Sequence, residues 1–159
     1  MITIIEDLAT QGVELSEKSK QNLAHYYHSL HSSDYSTSEA KYLLQCANIH
    51  LDLGASRHSN ETLIEGSNIA SPNAKTDNTV ISVITKDKPF IRDTLIMCIN
   101  GFGANIVFTH ASLLEVGRDN KGDIRHLSPY KKGEGHENEI ESFMQFHLER
   151  LPPKSVALL

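Results

Sequence analysis

The hydrophobic period changes twice between residues 79 and 116, and this double switch constrains the fold more than any other feature. Residues 79–85 read TVISVIT, β-branched and apolar on both faces, the pattern of a strand buried centrally in a sheet. Ile91, Leu95, Cys98, Ile99 and Phe102 then recur at helical spacing. Asp87 stands where a cap belongs, and Pro89 is tolerated in a first turn whose N–H groups lack partners. From Ala104 to Val116 the period returns to two, with Ile106, Phe108 and His110 opposed to Val107, Thr109 and Ala111. A turn at Asp119-Asn120-Lys121-Gly122 lets residues 124–127 pair back as a hairpin. The polar tract 128–138 reads as a mobile loop, and Ser142, Met144, Phe146 and Leu148 alternate in a last strand.

This order of elements predicts an α+β fold. Its centre is a ferredoxin-like antiparallel sheet with a helix lying across one face, the Cys98 side of that helix supplying the core. After Pro152-Pro153 the letters KSVALL read as the opening of a further helix. A helix cut in its first turns nucleates poorly alone, so the chain is expected to be a piece of something longer, its last helix and strand missing.

Residues 1–58 read as a helical segment in front of the sheet. Leu23, Tyr26, Tyr27 and Leu30 share one face of a helix beginning after Ser16. Ser36-Thr37-Ser38-Glu39 is a capping box. Behind it, Ala40, Leu43, Leu44, Ala47 and Leu51 form one apolar stripe, and Tyr42, Cys46, Ile49 and Leu53 a second, so this helix is expected to be packed on two sides. Residues 59–78 read as a short strand at 62–65 and a Gly/Ser/Asn/Pro linker from 66 on, and residues 79–159 as the incomplete sheet domain.

Charge and composition exclude several classes of function. A net charge of −5 without a basic cluster argues against nucleic-acid partners. No apolar run approaches the roughly 18 residues of a membrane span. Two cysteines and no secretory signal fit a cytoplasmic protein.

Gly101 and Gly103 invite a nucleotide-loop reading. A dinucleotide fingerprint needs its glycines after a strand and at a helix start, whereas these follow a helix and precede a strand; helix termination is the better reading, and no cofactor is expected in this region. His25, His28 and His31 drift around a helix too far to share one small ion, and Cys46 with His50 reads as core. His136-Glu137 lacks the second histidine of a zincin, and Glu137, Glu139 and Glu141 read as a solvated carboxylate cluster. No catalytic residue and no metal site are expected. The candidate site is the strand-to-helix junction Asp87, Lys88, Pro89 and Phe90, where exposed N–H donors and the positive helix end suit a carboxylate such as that of an amino acid. An ordinary capped surface loop is the plain alternative.

Asp87, Pro89-Phe90, Asp93, Met97, Asn100 and Gly103 resemble the N-terminal region of the large bacterial NAD-specific glutamate dehydrogenases. The likeness continues through His110, Arg118-Asp119, Gly122 and Glu141-Ser142-Phe143-Met144 to Arg150, and reaches back to Tyr26-Tyr27 and the helix within residues 34–57. The resemblance implies an ACT-like domain preceded by helices at the front of a longer enzyme. It implies NAD as the parent enzyme's cofactor, the remainder of that chain as a partner, a homo-oligomer and an amino-acid effector. Phe90 stands where amino-acid-binding ACT domains carry glycine, and His50-Leu51 where the family has histidine–tryptophan. A free-standing amino-acid sensor and a purely structural oligomerisation domain are the alternatives.

Overall fold

The computed structural model describes residues 3–71 and 77–152. Three helices precede the sheet: α1 (Thr3–Thr10), α2 (Glu17–Tyr26) and α3 (Ala40–Leu53), the last entered through a 3-10 turn at Thr37–Glu39. Five strands follow, β1 (Leu63–Ile69), β2 (Asn78–Lys86), β3 (Ile106–Arg118), β4 (Ile124–Pro129) and β5 (Glu139–Glu149), with α4 (Ile91–Gly101) between β2 and β3. All pairings are antiparallel and the sheet order is β1-β2-β5-β3-β4. The fold is α+β, as the pattern predicts, and ACT-like, as the resemblance implies. The expected helix after residue 153 falls outside the described residues.

Side-chain alternation sorts the sheet into two cores. Val80, Ile84, Leu114, Val116 and Phe143 face α1–α3, joined there by Leu23, Tyr26, Tyr27, Leu43 and Ala47. Ile81, Val83, Met144, Phe146 and Leu148 face the other way, against Leu95, Ile96 and Ile99 of α4. A sheet covered on both sides explains why residues 79–85 are apolar throughout. The two stripes of α3 are likewise explained, since that helix packs on α1 and α2 and also on β1 and β2.

Local signals set most boundaries. Ser16 caps α2 by accepting the Ser19 N–H, and Glu39 accepts the Ser36 N–H at 2.7 Å in the capping box. Helix α1 falls within the expected helical segment, although the sequence reading places no separate helix there; Ile4 and Leu8, one turn apart, are fully buried.

Four expectations are corrected. β1 runs on to Ile69, because Gly66 to Ile69 pair with residues 78–81 of β2 where a linker was expected. Asp87 does not cap α4: Phe90 holds the cap position and no side chain bonds there. Cys98 is exposed, and Leu95, Ile96 and Ile99 carry the packing of α4. A bulge between Ile106 and Phe108 puts Ile106 in the α4-side core and Phe108 against the helical segment, so they do not share a face.

Candidate functional site

The junction residues lie at one polar corner of the sheet, where β2 ends and β5 begins. The Asp87 N–H donates to the Ile140 carbonyl at 2.9 Å, and Asp87 Oδ1 accepts the Ser142 hydroxyl at 3.0 Å. Lys88 and Pro89 are exposed. Phe90 is 79% exposed with φ of 63°, and its carbonyl accepts both the N–H and the hydroxyl of Thr94. A left-handed non-glycine residue costs on the order of 1 kcal/mol. Phe90 therefore points its ring away from the chain and fills no pocket of its own domain, while the first turn of α4 has no side-chain cap.

The same corner holds an ion network that the sequence reading missed. Glu141, expected to be solvated, is fully buried. It accepts from Arg57 Nη2 at 2.9 Å and takes both Arg118 Nε at 2.7 Å and Arg118 Nη2 at 2.9 Å in a bidentate clasp. Arg57 Nη2 also reaches Glu139, and Lys86 Nζ lies 3.2 Å from the other Glu139 oxygen. Burial alone would raise the Glu141 pKa and lower that of Arg57; their hydrogen bonds and opposite charges reverse both effects, leaving Glu141 below and Arg57 above its ordinary value. Arg57 Nη1 is further held by the carbonyls of His58 and Glu61, and Arg118 Nη1 by that of Gly122. A cleft of about 510 Å³ opens over the network, bordered by Ser59, Asn120 and Asn138.

The chain ties this corner together from four places. Arg57 lies just past α3, Arg118 ends β3, Glu139 and Glu141 open β5, and Lys86 ends β2. Gly122 makes the approach possible: its φ is +88°, and a Cβ there would lie 2.7 Å from the Arg57 carbonyl oxygen. The one available sequence signal was a carboxylate at position 141, in phase with Phe143 on the inward face of a strand, which requires a buried cation.

The histidines divide differently. His50, His110 and His147 are buried between the sheet and α2–α3. The Val83 carbonyl can only accept, so His50 Nε2 carries the proton and the Tyr26 hydroxyl donates to Nδ1 at 2.7 Å. His147 Nδ1 meets the Tyr42 hydroxyl at 2.6 Å, and His110 Nε2 meets the Tyr26 carbonyl at 3.2 Å. Desolvation pushes His50 and His147 down to about 3 and His110 to about 4. Burial lifts the Cys46 thiol to about 12, so it is inert core, as expected of the Cys46–His50 pair. His25 and His28 hydrogen-bond to the carbonyls of Leu127 and His25 respectively. Among the described residues no group of three His, Cys, Asp or Glu side chains is placed to hold a metal ion, and no helix is long and apolar enough to cross a membrane.

Gly101 ends α4, and Gly103, at φ +74°, follows it with its N–H bonded to the Asn100 carbonyl. These glycines follow α4 and precede β3, the order expected of helix termination. Nothing lies within 4 Å of a Cβ built at Gly103, so Gly103→Ala should cost only the left-handed backbone term, about 1 kcal/mol, measured as a lower urea midpoint at unchanged slope.

The described arrangement from α2 to the end of β5 coincides with one known family: the model of the glutamate dehydrogenase ACT1 domain matches residues 22–158. The chain belongs to that family. No curated protein and no solved structure matches it. The matched span of the ACT1 domain begins inside α2, so most of the helical segment is part of the family pattern. Residues that carried the likeness, Arg118, Gly122 and Glu141, stand together in the ion network, while Asp87 and Ser142 bond to each other beside it.

Proposed function

We propose that this ACT1 domain is a non-catalytic regulatory and assembly domain of a cytoplasmic NAD-specific glutamate dehydrogenase. The parent reaction converts L-glutamate, NAD and water to 2-oxoglutarate, ammonia and NADH. The hydride chemistry and the NAD site belong to the remainder of the parent chain, which is the domain's partner, together with further copies in a homo-oligomer. The observation that carries this reading is the family match across residues 22–158, joined to glycines that close a helix instead of opening one.

The junction at Asp87, Lys88, Pro89 and Phe90 is where an amino-acid effector would act. It is supported by the uncapped first turn of α4 and by the exposed Lys88 beside it. An effector's carboxylate would take those N–H donors. Lys86, next in the chain, bridges through Glu139 to Arg57, so occupancy would be felt at the connection to the helical segment.

Two measurements test this. Residues 1–159 incubated with glutamate and NAD should produce no NADH absorbance above buffer, and turnover would sink the reading. Calorimetric titration with amino acids should give heats that vanish in Lys88→Ala and Asp87→Ala with the circular dichroism unchanged. Absence of heat for every amino acid would leave assembly as the sole role.

A further inference from the structure

Strand β3 is paired along only part of its outer side. Its partner there, β4, covers Leu114 to Arg118, and the Tyr130 N–H then donates to the Leu113 carbonyl at 3.0 Å. Main-chain groups of a strand point alternately to its two sides, so the N–H and C=O of Ala111 and Thr109 point the same way as those of Leu113. Among the described residues no strand takes them. Instead they open into a cleft of about 420 Å³, walled on one face of the sheet by Arg92 of α4 and on the other by Leu30 and Asp34 from the connection between α2 and α3.

The two walls differ in charge. Arg92 Nη2 donates to Thr109 Oγ1 at 2.9 Å, and among the described residues no carboxylate pairs with its guanidinium. On the opposite wall Asp34 offers a carboxylate that accepts the His31 N–H at 2.8 Å. His110, which also lines the cleft, is only 6% exposed. Its Nε2–H donates to the Tyr26 carbonyl, which leaves Nδ1 an acceptor without a partner among the described residues.

We propose that this cleft takes the carboxyl end of an extended peptide, added to β3 as a short antiparallel strand in line with β4. In that register the last ligand residue lies opposite Thr109, the middle one opposite His110 and the one before it opposite Ala111. The terminal carboxylate accepts the Thr109 N–H and the Arg92 guanidinium, whose fork suits a carboxylate. Ala111 exchanges both of its main-chain bonds with the residue across from it. Directly opposed residues share a face, so the middle side chain lies on the face of His110, toward Asp34. A lone pair and a carboxylate both call for donors there, which selects lysine or arginine at the middle position. This inference goes beyond the effector reading of the junction and does not depend on it.

The test exposes the immobilised 159-residue chain to a pool of acetylated tripeptide acids varied at all three positions, with retained peptides identified by mass. Lysine or arginine should be enriched at the middle position. For the best-retained peptide, calorimetry should show affinity falling roughly tenfold or more when its carboxyl end is amidated, and by a similar factor in Arg92→Gln. Asp34→Asn should erase the preference for a basic middle residue. Arg125→Ala, which removes an exposed arginine of β4, is the control and should change nothing. A selection that retains no peptide, or equal binding of acid and amide, would overturn the proposal. Displacement of the peptide by a single amino acid at equal concentration would give the cleft to a free amino acid. A dimer that Ala111→Pro dissociates, seen by sedimentation, would give the edge to a second copy, since proline removes the outward N–H. Either result overturns the proposal as well.

Discussion

The domain should lose stability steeply between pH 6.5 and pH 5. Unfolded histidine titrates near 6.5, whereas folded His50 and His147 sit at about 3 and His110 at about 4. Well above pH 6.5 neither state binds these protons, so the three residues leave stability flat. Below it the unfolded chain takes up protons that the folded chain refuses, and stability falls with pH until the folded values are passed. At pH 5 the linkage relation gives about 2 kcal/mol per histidine, the same for any folded value of 4 or below. Three such terms rival the whole stability of many small domains. Thermal unfolding followed by circular dichroism should therefore show a melting temperature at least about 10 °C lower at pH 5 than at pH 7. His110→Asn keeps a donor near the Tyr26 carbonyl and should reduce the pH slope by one proton. A melting temperature constant from pH 7 to pH 5 would mean that the three rings are not held neutral.

The second large effect is expected at Glu141. In Glu141→Gln the guanidinium of Arg57, 1% exposed, and that of Arg118, 10% exposed, lose the charge that both surround. Removing one partner from a buried ion pair costs about 3–5 kcal/mol, because the remaining charge stays desolvated. Arg57 keeps Glu139 and two carbonyls, which places the expected loss at the lower end of that range. The contrast is Arg125→Ala, which breaks a pair with Asp119 whose arginine is 68% exposed and should change stability by less than about 1 kcal/mol. Urea unfolding of both variants at pH 7 provides the comparison. Equal midpoints would show that the corner is solvated and that Glu141 holds nothing together.

How much of this was legible depended on whether the signal was local. The strands β2, β3 and β5 and helix α4 announce themselves by a change of period within 70 residues, and Ser16 and Ser36 mark helix starts through their own side chains. Cys46 and His50 were readable as core because they stand within apolar stripes. The ion network was not readable, because Arg57 and Glu141 are 84 residues apart and only the register of β5 against β2 and β3 brings them together. Asp87 misled for a related reason. Its spacing suits a cap, but β5 lies close enough to offer Ser142 and Ile140, and the side chain turns toward the sheet. The bulge at Ile106 left no mark in the alternation, since one extra residue in an apolar run looks like the run itself.

The carbonyl of Tyr26, at the end of α2, receives hydrogen bonds from His110 and Ser112 of β3. Main-chain acceptors at helix ends normally find water or a neighbouring turn; here they find the middle of a sheet. Helices and strands so joined cannot part without stranding polar atoms on both sides, so calorimetry should record a single endotherm, with no early peak from the first 53 residues shed as a separate unit.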